Sequence, residues 1–277
     1  MNESTLNASK LSNLWATGLD YRVIYPENIE ELLAIKEPYI VIGNGTNSFY
    51  LNPQKEAFVS LKLLKKITIL PDCQIEAEAG VLLPEIIAKA KKFSLSGLEF
   101  TYPVPASLGG AIVQNFGAYD EEISNLLKKI TVLNPKTKII SEIKITSKQK
   151  IFSYRSSTLK KEGLVLLNAT LQFHKDTLDN INKKLSEMTY KRKNLYPLNH
   201  TLGSVFLNTK EYSAGKLLDE AGLKGFQYKN TFVSKQHANV IITKNSSVQE
   251  VNELIQIMKK KVKEKFKIEL KEEIVIR

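Results

Sequence analysis

The chain has 277 residues, 43% hydrophobic and 25% charged, a globular balance with enough length to bury a core around a bulky ligand. Cys73 is the single cysteine, which excludes an intramolecular disulfide and a thiolate cluster, and His174, His200 and His237 are too scattered for ligand spacing, so no metal is expected. The net charge of +11 fits either nucleic acid or small anionic ligands steered into a cleft; with lysines spread along the chain and no basic tail, zinc motif or RNA-binding signature, the second is expected. The polar start MNESTLNASK lacks a signal peptide's apolar stretch, and no apolar run approaches the ~20 residues of a membrane span. A cytoplasmic protein with no membrane partner is therefore expected.

A first small α/β unit starts with the alternating strand Tyr21–Tyr25 and a short helix over Ile29–Ile35. Tyr39–Ile42 reads as a short buried strand that ends in Gly43-Asn44-Gly45-Thr46-Asn47-Ser48, and Ala57–Leu61 as the next strand. A second unit has strands at Ile67–Leu70 and Gln74–Ala79, then a helix over Leu82–Phe93 with Leu83, Ile86, Ile87 and Ala90 on one face. Ile130–Leu133 and Ile139–Ile143 form a hairpin, and Gly163–Phe173 is a long strand. The third region holds a helix from Leu178 to Arg192, a segment Gly203–Asn208, a helix Ala214–Ala221 and strands near Phe226–Val233 and Val240–Thr243. A long helix, Val248–Phe266, carries the stripe Val251, Leu254, Ile255, Met258 and Val262, and Ile268–Ile276 reads as a closing strand. This order of elements predicts an α+β protein in three parts, residues 1–64, 65–175 and 176–277.

Two glycine-rich segments stand out. In Gly43–Ser48 the glycines admit positive φ and close backbone approach, and successive N–H groups with Thr46 and Asn47 can form an anion nest; a plain strand-ending turn is the other reading. Its glycine spacing does not open a helix in the dinucleotide-fold manner. Pro103–Tyr119 (PVPASLGGAIVQNFGAY) is too apolar for a solvated loop and too glycine-rich for a simple helix or strand. Gly109 and Gly110 there would let backbone N–H groups touch a flat or phosphorylated ligand, with Asn115 adding a polar contact.

With GNGTNS at Gly43–Ser48, GGA and NFGAY within Pro103–Tyr119, Tyr154-Arg155-Ser156, Gly203-Ser204-Val205-Phe206, Ala214–Leu218 (AGKLL), Ala221–Gly225 (AGLKG) and His237-Ala238-Asn239, the chain resembles the UDP-N-acetylenolpyruvoylglucosamine reductase family from about Tyr21 onward. The resemblance implies a VAO/PCMH-type FAD domain of two small α+β subdomains plus a C-terminal substrate domain. It implies an NADPH-dependent flavoenzyme of the shorter type, without the tyrosine-bearing loop, acting on a UDP-sugar enolpyruvate; a monomer is expected, though the sequence itself does not reveal oligomeric state. In that family hydride passes from NADPH through the flavin to the enolpyruvyl double bond, giving UDP-N-acetylmuramate for peptidoglycan.

The resemblance assigns FAD contacts to Gly43, Asn44, Gly45, Thr46, Asn47, Ser48, Pro105, Ser107, Gly109, Gly110, Ala111, Asn115, Gly117, Ala118 and Tyr119. Ser204 matches the general acid, Arg155 the arginine that binds and polarises the substrate carboxylate, and Glu273 the glutamate beside the same site. A hydroxyl can protonate a very basic enolate when well placed, and a guanidinium fork suits a carboxylate on which charge grows. Glu272 is adjacent, and since neighbours on a strand face opposite sides only one of the two can fill the role. Arg192, Asn208 and Gln236 fall where the family contacts the UDP-sugar.

The chain departs from the family at Pro103 and Ala106, which replace glycines, at Gln114 and Leu207, and in having only Gly18 where paired glycines are usual. Ala106 is expected to restrict φ in the flavin loop. The sequence also admits two alternatives: a flavin oxidoreductase of another sugar, or a noncatalytic flavin- or nucleotide-binding relative.

Overall fold

The computed structural model describes residues 1–146, 150–197 and 200–277. The chain forms two compact units, one of residues 1–3, 23–44 and 56–189, the other of residues 4–22, 45–55 and 190–277.

In the first unit, Tyr39–Ile42 pairs in parallel with Ala57–Ser60, and Val23 and Ile24 pair in parallel with Phe58 and Val59. Ala57–Ser60 thus lies between Asp20–Tyr25 and Tyr39–Ile42, and the helix Ile29–Ala34 makes the crossover that connects those two parallel, non-adjacent strands. Asn28 caps that helix, its side chain accepting from Glu31 N. All four residues of Ala57–Ser60 are buried, as befits a strand with neighbours on both edges.

The unit's larger sheet is antiparallel, ordered Ile140–Lys144, Leu127–Leu133, Val165–Gln172, Gln74–Glu78 and Ile67–Leu70. The alternation in Gln74–Glu78 buries Ile75 and Ala77 and leaves the polar residues between them half-buried. The helix Leu83–Lys92 adds Leu83, Ile86, Ile87 and Ala90 to the same core. Each fully buried Leu or Ile there contributes about 1.5–3 kcal/mol relative to exposure.

Part of the glycine-rich stretch, expected to be neither helix nor strand, is a six-residue helix, Leu108–Val113. It forms because the N–H groups that a first helical turn leaves unpaired find acceptors: Leu108 N donates to Val81 O, Gly109 N to Ala79 O, and Gly110 N to Ser107 Oγ.

In the second unit, Gln227–Tyr228, Thr231–Val233 and Ile241–Thr243 form a three-stranded antiparallel sheet. The span 226–233 is thus a hairpin rather than one strand, because Lys229 turns left-handed at φ 50°. The helix Val248–Phe266 starts at a reciprocal cap between Ser247 and Glu250, buries the expected stripe, and ends where Lys267 turns left-handed.

The closing segment departs from the expected strand Ile268–Ile276. Only Val275–Ile276 is a strand, parallel to Ser48–Phe49, with an isolated antiparallel bridge from Glu272 to Phe206 upstream. Between them the N–H groups of Glu273 and Ile274 both donate to Val205 O, at 2.8 and 3.4 Å. Two residues opposing one is a β-bulge, which interrupts the ladder and re-aims side chains. No helix among the described residues is long and apolar enough to cross a membrane.

Candidate active site

The Gly43–Ser48 turn follows the strand Tyr39–Ile42, which is not buried throughout as its sequence predicts: at the edge of the sheet it buries Ile42 and leaves Tyr39, Ile40 and Val41 half-buried. In the first unit, Asn44 Nδ2 donates to Pro105 O at 2.7 Å, and a Cβ on Gly43 would stand 3.0 Å from Ser107 Oγ and 3.6 Å from Gly110 Cα. The two glycine-rich segments therefore touch backbone to backbone. In the second unit, Gly45 takes φ 66°, its carbonyl accepts from Asn13 N at 2.9 Å, and a Cβ there would run into the carbonyl of Leu11. Asn47 joins the closing segment twice, its Nδ2 donating to Glu273 O at 3.3 Å and its carbonyl accepting from Val275 N at 2.9 Å.

These residues suit a dinucleotide cofactor by their donor set. Thr46, Asn47, Ser48 and Ser107 are small and neutral, and neither turn carries an acidic side chain that would repel phosphate; the N–H groups of Gly109 and Gly110, expected to face a ligand, donate instead to Ala79 O and Ser107 Oγ as the helix starts. Ala106 is buried, passes its carbonyl to Leu83 N at 2.9 Å, and is not among the residues with positive φ. The loop thus accommodates alanine there without the left-handed strain its sequence suggests.

Further along, Gly117 and Ala118 pair antiparallel with Glu122 and Glu121. Asn115 is fully buried and its side chain is committed inside the protein: Nδ2 donates to Glu122 Oε2 at 2.8 Å and Ser153 O at 3.0 Å, and Oδ1 accepts from Ser124 N at 3.3 Å. Arg155, at φ 51°, donates from Nη2 to Gly117 O at 2.6 Å, lies 3.8 Å from Glu122 Oε1, and stacks over Tyr154 at 4.8 Å.

In the second unit Ser204 and Glu273 sit on neighbouring segments. Ser204 bridges Val240, Val205 N donates to Asn239 O at 2.8 Å, and Val205 O receives the bulged N–H groups of Glu273 and Ile274. Residues 204–206 thus run between the Asn239–Val240 segment and the closing segment. Asn239, 1% exposed, holds this run, accepting from Phe206 N at 2.9 Å and donating to Phe206 O at 2.8 Å. Glu272 is ion-paired with Lys259 at 2.7 Å.

Of the expected substrate contacts, Arg192 lies 4.4 Å over the Tyr196 ring, whose other neighbour is His237, stacked at 5.2 Å. Gln236 Nε2 donates to Lys193 O at 3.2 Å, so Gln236 and the Arg192 end of its helix are brought together. Asn208 accepts from Ala214 N at 2.9 Å, at the start of the next helix. The layered Arg192–Tyr196–His237 arrangement was not foreseen; the only sequence signal was the His237-Ala238-Asn239 piece, which names no partner. Burial, with Lys224 adding to it, holds His237 below the ordinary 6.5, and its Nδ1 accepts from Asn239 N at 3.1 Å.

Known families match both parts of this geometry. Residues 22–141 match the FAD binding domain family, which makes the chain an FAD-binding protein of α+β construction. Residues 196–277 match the family described as UDP-N-acetylenolpyruvoylglucosamine reductase, C-terminal domain. A protein of that name from Caldanaerobacter subterraneus subsp. tengcongensis is 38% identical over 87% of this chain and 80% of its own length, and one from Clostridium novyi is 36% identical over 86% and 78%. The crystal structure of UDP-N-acetylenolpyruvylglucosamine reductase from Thermus caldophilus superposes with a TM-score of 0.86 at 26% identity, covering 100% of this chain and 99% of that one. The chain belongs to the UDP-N-acetylenolpyruvoylglucosamine reductase family, whose members are FAD-containing oxidoreductases.

Proposed function

We propose that this chain reduces the enolpyruvyl group of UDP-N-acetylglucosamine enolpyruvate to UDP-N-acetylmuramate, with NADPH as hydride donor, in peptidoglycan precursor synthesis. The observation that carries the reading is family membership over 87% of the chain together with retention of Arg155, Ser204 and Glu273. Bound FAD supplies a two-electron carrier between NADPH and substrate.

The chain's own residues do the rest. Arg155 binds the substrate carboxylate, where a guanidinium takes up the negative charge that grows as hydride adds to the double bond. Ser204 donates a proton to the carbon left electron-rich, its hydroxyl acting by placement rather than by acidity. Glu273 is the carboxylate beside that hydroxyl. One feature favours it over Glu272: the Glu272 carboxylate is already ion-paired with Lys259.

Gly43–Ser48 and the Pro105–Tyr119 contacts hold the cofactor, Asn115 doing so through the backbone it clamps. Arg192, Asn208 and Gln236 hold the UDP-sugar. Residues 1–64 and 65–175 serve the flavin and 176–277 the substrate, in a monomer working in the cytoplasm. Ser204→Ala tests the reading: flavin reduction by NADPH should proceed while product formation falls about 100-fold or more. Normal turnover by that variant would remove Ser204 as the acid.

A further inference from the structure

We propose that Glu122, buttressed by Asn115, is a positioning residue for Arg155 that fixes the plane of its guanidinium for the substrate carboxylate. The proposal rests on the role given to Arg155 above. Four non-glycine residues with left-handed backbone, Asn115 (φ 49°), Tyr119 (φ 54°), Asp120 (φ 63°) and Arg155 (φ 51°), belong to this one device. Such conformations are strained for residues with a side chain and persist only where surrounding contacts over-determine them. Here those contacts are visible, and they lead to Arg155.

Tyr119 and Asp120 form the two-residue turn of the hairpin that sets Glu122 opposite Gly117. Arg155 lies over that pair. Its Nη2 donates to Gly117 O at 2.6 Å, and a Cβ on residue 117 would stand 2.6 Å from Nη1 and 3.0 Å from Glu122 Cγ. Only bare backbone lets the guanidinium settle there. Glu122 Oε1 stands 3.8 Å from Nη1, too far for a direct hydrogen bond, so it steers the group by charge. Its other oxygen is pinned by Asn115 Nδ2 at 2.8 Å, from a side chain with no exposure that also grips Ser153 O, two residues before Arg155. A guanidinium carries five donors in one rigid plane, so fixing one edge aims the rest.

The test is pre-steady-state kinetics on the FAD-loaded enzyme, following NADPH-driven flavin reduction and substrate-driven reoxidation separately. Glu122→Gln keeps an acceptor for Asn115 but removes the charge; reduction should stay within about twofold of wild type and reoxidation slow about tenfold. Glu122→Asp, which keeps the charge, should stay within about threefold, and adding Glu122→Gln to Arg155→Lys should slow reoxidation little further, because the carboxylate acts through the arginine. Wild-type reoxidation in Glu122→Gln, an equal loss in Glu122→Asp, or full multiplication of the two single effects overturns the proposal. Unchanged reoxidation in Arg155→Lys alone overturns the role of Arg155 itself, and is distinguishable because Glu122 is intact in that variant.

Discussion

Gly45 and Gly163 share a left-handed backbone, at φ 66° and 67°, but differ in surroundings: a Cβ on Gly163 would meet nothing within 4 Å, whereas one on Gly45 would strike the backbone of Leu11 and Ser12. Gly163→Ala therefore meets only the intrinsic strain of about 1–2 kcal/mol. Gly45→Ala meets that strain and a backbone collision, so it should melt lower than Gly163→Ala by several °C, at roughly 2–4 °C per kcal/mol for a chain near this size. Equal melting temperatures would remove the collision. The GNGTNS run was legible as a turn because glycine beside asparagine announces one. Which glycine is irreplaceable was not, since that depends on Leu11, more than 30 residues upstream. The same holds for Asn115, read as a cofactor contact but tied by its side chain to Glu122, Ser153 and Ser124.

Among the elements, those set by local periodicity came through intact. The stripe Val251, Leu254, Ile255, Met258 and Val262 lies buried along one helix because residues three and four apart share a face. Elements set by partners did not. Two glycines and the β-branched Ile112 and Val113 weaken Leu108–Val113 as a helix; Val81 O, Ala79 O and Ser107 Oγ accept its first N–H groups and make one possible. The closing segment alternates like a strand in sequence, yet the two N–H groups converging on Val205 O break it at Glu273–Ile274. That break leads to a prediction about the adjacent glutamates. Glu272→Gln loses a partly exposed pair with Lys259, a contribution of about 0–1 kcal/mol, and should keep turnover within about threefold. Glu273→Gln should lower turnover about 100-fold. The reverse ranking in steady-state rates would assign the role to Glu272.

At the scale of the whole molecule, the α+β character and the FAD-binding class were readable from the order of short motifs along the chain. The linkage of stability to pH was not, because it depends on burial. The folded chain holds His237 below its ordinary 6.5 by burial, so between the two values the unfolded chain binds more protons. Stability should therefore rise with pH through that window and fall as pH drops below about 6.5. The melting temperature should be lower near pH ~5.5 than near pH ~7.5, and His237→Gln should narrow the difference. An unchanged difference would place the acid sensitivity elsewhere.

The most direct measurement is the anaerobic visible spectrum of the purified chain before and after NADPH and then UDP-N-acetylglucosamine enolpyruvate. The account predicts a yellow protein whose flavin bands bleach with NADPH and return in full with the enolpyruvate, one flavin reoxidised for each UDP-N-acetylmuramate formed. A colourless protein that takes up no FAD, or bleached bands that the enolpyruvate does not restore, would contradict it.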